Sequence, residues 1–164
     1  MYLGCFYTSQ LTNLDVSNNT ALTELICSDN QLTNLDLSNN TALTKLFCIN
    51  NQLTHLDVSR NTELIELICM NNQLTSLDLS KNTELTLLWC SGNQLTSLDM
   101  SNNIALTELS CEINNLQADA LNALFHSLPF IPAYPYGRIN IYGNPGADAC
   151  DISIATTKRW GVQR

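Results

Sequence analysis

Residues 22–43 read LTELICSDNQLTNLDLSNNTAL, and the stretch divides into two halves of the form L-x-x-L-x-(L/C)-x-x-N. In the first half Leu25 and Cys27 alternate with Ile26, the period of two that sends neighbouring side chains to opposite faces of a strand. Leu35 and Leu37 flank Asp36 in the same way. The expected unit is therefore a coil with two short extended segments. Each is turned by an asparagine whose side chain can bond the backbone of the bend.

Outward from this stretch the unit recurs. Leu11, Leu32, Leu53, Leu74, Leu95 and Leu116 are spaced by 21 residues, as are Cys27, Cys48, Cys69, Cys90 and Cys111. The same step separates Asn30, Asn51, Asn72, Asn93 and Asn114, and also Asp15, Asp36, Asp57, Asp78 and Asp99. One coil cannot bury its leucines alone. Coils stacked about 4.8 Å apart pair their strands in parallel and merge the leucines into one core.

These residues resemble the leucine-rich-repeat family, specifically a bacterial subclass with nested 10- and 11-residue units and the pattern LxxLxCxxNxLxxLDLxxN. The resemblance covers roughly residues 3–116. It implies a β-rich solenoid of 21-residue coils with a parallel sheet on the concave face, used mostly for protein recognition, and no reaction.

The ends depart from the period. Residues 1–10 read as a partial coil without a cap, in which Leu3-Gly4-Cys5 takes the L-x-C columns with one extra residue before Leu11; the gap-free alternative puts Phe6 in the cysteine column. The unpaired backbone of such a first strand favours edge-to-edge association. Five repeats span residues 11–116, and residues 117–164 form a small α/β cap. There the spacing of Leu121, Leu124, Phe125 and Leu128 predicts a helix over about 118–128. A strand follows at about 138–142, then a short helix at about 152–160 that starts at Asp151 and stops at Gly161. The segments NALFHSLP and INIYGNPGADACDISIATTKRWGV resemble the C-terminal caps of secreted leucine-rich-repeat proteins from gut-dwelling anaerobic bacteria. That resemblance implies a secreted or cell-surface location.

Composition narrows the partners. Acidic residues outnumber basic ones by 15 to 7, for a net charge of −8. Nucleic acid, which demands a basic surface, is a poor partner. No window of about 18 apolar residues occurs, so membrane insertion is not expected.

Chemistry has little to work with. The cysteines lie along a line, whereas a tetrahedral zinc site needs ligands that converge on a point, so the column reads as small core hydrophobes. Cys5 and Cys150 are the two most open to reaction or pairing. The aspartates lack the D-x-D-x-D-G pattern of a calcium loop and read as turn residues that accept from the following Ser. His55 and His126 have no nucleophile or orienting partner in view, and no glycine-rich phosphate loop occurs. Stacked threonines such as Thr33 and Thr54 suit a solvated strand face or turn. No catalytic residue, metal ligand or cofactor is therefore expected.

Two readings remain, a protein-recognition module and a passive spacer within a larger surface protein. A spacer needs only polar outward columns, whereas a recognition module concentrates apolar and aromatic residues on one face. The column between the inward Leu and Cys reads Ile26, Phe47, Ile68, Trp89, Ser110. Its neighbours on the same face are Ser28, Ile49, Met70, Ser91, Glu112 and Glu24, Lys45, Glu66, Leu87, Glu108. The expected binding surface is Ile26, Phe47, Ile49, Ile68, Met70, Leu87 and Trp89, facing a protein partner or a second copy of the chain.

Overall fold

A computed structural model describes residues 1–5, 10–132 and 134–164. Each first half-repeat contributes one three-residue strand: β2 (Glu24–Ile26), β3 (Lys45–Phe47), β4 (Glu66–Ile68), β5 (Leu87–Trp89) and β6 (Glu108–Ser110). They are preceded by β1 (Tyr2–Gly4) and followed by α1 (Ala118–Ser127), β7 (Gly137–Asn140), α2 (Ser153–Thr157) and β8 (Trp160–Gln163). Among the described residues the strands form one parallel sheet in sequence order, β1 to β8. The chain is a β-solenoid of about seven turns with the leucine-rich-repeat architecture. No helix among the described residues is long and apolar enough to cross a membrane.

Register follows the period. Leu25, Leu46, Leu67, Leu88 and Leu109 stand side by side in successive strands, and each is buried. The five ladder cysteines are buried beside them. At the N-terminus Leu3 pairs with Leu25 and Gly4 with Ile26, and the Cys5 N–H donates to the Ile26 carbonyl at 2.8 Å. The first coil thus carries L-x-C at residues 3–5, while Phe6 lies outside the described residues.

The second half-repeats differ from the sequence expectation. They bury Leu35 and Leu37 and expose Asp36, but form no strand. Two successive turns bend the chain there, with Asn40 N–H donating to the Leu37 carbonyl and Leu43 N–H to that of Asn40. Along this side neighbouring coils share backbone bonds such as Gln52 N–H to Leu32 O at 2.9 Å. Asparagine side chains supply further links. The Asn61 amide Nδ2 donates to the carbonyls of Leu37 and Asn40, one coil back.

The aspartate column closes these turns. Asp15, Asp36, Asp57, Asp78 and Asp99 each accept the backbone N–H two residues on at 2.9 Å. The Ser38, Ser59 and Ser80 backbone N–H groups, then their hydroxyls, hold Asp36, Asp57 and Asp78 below the usual carboxylate range. For Asp15 the Ser17 hydroxyl is the larger cause, ahead of its N–H. A carboxylate with a depressed folded pKa stabilises above its unfolded value, near 4, and that stabilisation is lost as pH falls through the folded value. Thermal stability is therefore expected to fall as pH drops below about 4, less so in an Asp57→Asn variant. Equal acid profiles for the two proteins would remove the aspartates from the account.

The cap seals the last coil. Leu121, Leu124 and Phe125 of α1 pack into the core. Lys158 Nζ donates to the Leu128 carbonyl at 2.7 Å, just past the end of α1. The second helix is shorter than its sequence suggests. Arg159 takes a left-handed conformation (φ 67°) that reverses the chain before Gly161, and Trp160 turns inward as the first residue of β8. Trp160 is buried, and its indole N–H donates to the Pro129 carbonyl at 2.8 Å. Asp151 accepts from the Ser153 N–H at 3.0 Å, a local turn just ahead of α2.

Candidate interaction surface

Because the strands pair in register, outward side chains stack into columns on the concave face. Ile26, Phe47, Ile68 and Trp89 are consecutive across β2 to β5, and Glu24, Lys45, Glu66 and Leu87 run beside them. Ile26, Phe47, Ile49, Met70, Leu87 and Trp89 are all half-buried. Ile68 differs. It stands between Phe47 and Trp89 in the ladder and is only 8% exposed, so the larger neighbours cover it and it forms the floor of the patch.

Polar groups on this face are held in place. Lys45 Nζ lies 2.7 Å from Glu66 Oε1, an ion pair that raises the lysine pKa. Trp89 Nε1–H donates to Glu108 Oε1 at 3.1 Å, which fixes the indole against the sheet. Glu112 accepts from the hydroxyls of Ser91 and Ser110 and from the Asn140 side-chain amide. The stripe thus ends, toward the C-terminus, in an ordered polar cluster.

Among the described residues the most exposed aromatic side chains lie elsewhere. Phe130, Tyr134, Tyr136 and Tyr142 belong to the cap, and Tyr134 is 84% exposed. The loop PFIPAYPYG reads in sequence only as a Pro- and Tyr-containing connection, and its residues fall outside the 21-residue columns. Its composition was the one available signal. Two adjoining hollows of about 550 and 450 Å³ open at this end of the concave face and share Glu108 and Arg138. Trp89, Met70 and Glu112 line the first; Tyr134, Tyr136 and Pro135 line the second.

One residue past Glu112 the backbone is strained. The turn after each of β2 to β7 uses a left-handed residue, filled by Asp29, Asn50, Asn71, Gly92 and Gly143, which tolerate it, and by Ile113 (φ 52°), which as a β-branched residue does not. Ile113 is 58% exposed, so its side chain gains little from burial. Ile113→Asn is expected to stabilise the chain by about 1 kcal/mol, read as a raised urea midpoint. An unchanged or lowered midpoint would show that the side chain contributes more than the strain costs.

Among the described residues no three His, Cys, Asp or Glu side chains converge on a point. Burial pushes the Cys27 and Cys69 thiols up to about 12 and raises Cys48, Cys90 and Cys111 as well, which keeps them protonated. Cys150 has little exposed surface, its thiol donates to the Ala147 carbonyl at 3.3 Å, and burial raises its pKa. Cys5 is half-exposed.

The fold is that of a leucine-rich-repeat solenoid, and the solved structures it is similar to are bacterial leucine-rich-repeat proteins. No protein-family model and no curated protein matches the chain. Among solved structures it is similar to the functional domain of InlJ from Listeria monocytogenes, which includes a cysteine ladder, at 26% identity and a TM-score of 0.57; the match covers 98% of this chain and 49% of that one. It is similar also to the internalin InlF of the same organism (25% identity, TM-score 0.65, 80% of this chain and 37% of that one). A leucine-rich-repeat protein of Leptospira interrogans shares the fold at 21% identity and a TM-score of 0.78, over 94% of this chain and 41% of that one. The chain thus spans half or less of the length of each.

Proposed function

We propose that the chain is a non-catalytic protein-recognition module of a secreted or cell-surface bacterial protein, of the nested 21-residue subclass. It takes a protein partner, or a second copy of itself, on the concave stripe. Ile26, Phe47, Ile49, Met70, Leu87 and Trp89 make the contact, with Ile68 beneath them. The observation that carries this reading is the stacking of partly exposed large apolar side chains on one face of four consecutive strands, flanked by Glu24, Lys45, Glu66 and Glu108. An apolar centre with a charged rim is the anatomy of a protein interface, and aromatic anchors carry most of its energy. Similarity to internalin domains supports both the recognition role and the surface location.

The test begins with a partner captured from host or bacterial surface extracts. Trp89→Ala and Phe47→Ala are each expected to weaken its binding by about 2 kcal/mol or more, with the circular dichroism spectrum and urea midpoint little changed. Substitutions at Asp78 or Lys81, on the opposite side of the coil, are expected to leave affinity unchanged. A partner whose affinity survives both aromatic substitutions would refute the assignment.

A further inference from the structure

The two hollows at the C-terminal end of the concave face combine features that the stripe lacks. In the second, Tyr134 and Tyr136 meet edge to face with centroids 6.2 Å apart, beside Pro132 and Pro135. This wall is braced from behind. The Arg159 guanidinium lies 5.0 Å from the Tyr136 ring centre and donates to the Pro132 carbonyl at 3.1 Å. Pre-set aromatic walls suit a ligand that is itself already extended, because neither side loses much freedom on binding.

The first hollow differs in charge. Trp89, pinned through its indole N–H, shares it with Glu108 and Glu112. Glu108 uses Oε1 for the indole, and its Oε2 accepts no hydrogen bond among the described residues. Glu112 is held by Ser91, Ser110 and Asn140, so its charge stays in place. An indole with two fixed carboxylates is a receptor for a cationic side chain, through the ring face and through charge-assisted hydrogen bonds. Arg138 stands between the hollows and repels a cation placed over it. The cation therefore belongs on the Trp89 and Glu112 side.

We propose that these joined hollows bind an extended, proline-containing peptide segment that carries one basic side chain. The prolines pack against Tyr134 and Tyr136, and the basic group enters between Trp89, Glu108 and Glu112. Local charge complementarity selects this occupant, since the carboxylates of Glu108 and Glu112 outnumber the single cation, Arg138, among the side chains that line the first hollow. The inference rests on the concave face being a protein-binding surface and assigns its C-terminal end a ligand chemistry.

The experiment titrates the full chain by tryptophan fluorescence and calorimetry with a synthetic ten-residue peptide of repeated prolines and one central arginine. Three comparison ligands are a peptide with norleucine for arginine, one with alanine for every proline, and chitohexaose as a neutral sugar. Saturable binding is expected for the first peptide, with about tenfold weaker binding of the norleucine and alanine forms. Glu112→Gln is expected to erase the preference for arginine, and Tyr134→Ala to weaken both proline peptides about tenfold. Tyr134 is almost fully exposed, so its loss leaves folding intact; Glu108→Gln provides a second carboxylate variant should Glu112→Gln lower the melting temperature. Phe47→Ala is expected to weaken peptide affinity less than Tyr134→Ala does, since Phe47 lines neither hollow. The proposal is overturned by no saturable binding up to millimolar peptide. It is also overturned by saturable binding of chitohexaose alone, or by affinity that Phe47→Ala abolishes and Tyr134→Ala does not change.

Discussion

Replacing Leu67 by alanine is expected to destabilise the chain by about 2–5 kcal/mol, seen as a lowered urea midpoint of a single cooperative transition. Leu67 lies in the central coil, is fully buried, and touches the same column in the coils on both sides. The loss combines the transfer energy of the removed atoms with a cavity that the neighbouring leucines, held by their own ladder bonds, cannot fill. Because each coil is stabilised mainly by its neighbours, damage at the centre lowers the stability of the array as a whole. Separate unfolding of the coils before and after residue 67 would show that the repeats are weakly coupled.

A loss of similar size, roughly 3–5 kcal/mol, is expected for Asn72→Ala, although the side chain is polar and small. Its amide Nδ2 donates to the carbonyls of Cys48, Cys69 and Met70, and its Oδ1 accepts the Leu53 N–H at 3.0 Å. Removing it strands several backbone groups in the interior, each carrying a desolvation penalty of about 1–3 kcal/mol. The other asparagine column provides the control. Asn82 Nδ2 donates to the carbonyls of Val58 and Asn61, but its Oδ1 accepts no hydrogen bond among the described residues. Asn82→Ala therefore removes an unsatisfied acceptor together with two donors, and should cost less. The comparison is made by parallel urea titration of the two variants. Equal losses would mean that packing, and not hydrogen bonding, sets the value of both columns.

The repeat was legible because it is local and redundant. Leu25, Cys27 and Asn30 reappear at the same step, so strand, inward face and turn could be read from spacing alone, and the parallel stack followed from the need to bury each coil against the next. The concave columns followed from the same arithmetic. What each column residue does once stacked was decided only by tertiary structure. Ile68 becomes floor because Phe47 and Trp89 flank it, a result that no single repeat contains. The second half-repeats carry an alternation like that of the first yet form no strand, since paired turns bend them at Asn40 and its equivalents. Irregular contacts were out of reach for the same reason. Trp160 finds the Pro129 carbonyl, Arg159 finds Tyr136, and Glu112 finds Asn140, each across a stretch without periodicity. The sequence by itself therefore determined the solenoid, its core and the face that its strands present. Tertiary contacts decided the end of the last helix, the eighth strand and the hollows beside Trp89, because those depend on which side chains meet when the non-repeating cap closes the last coil.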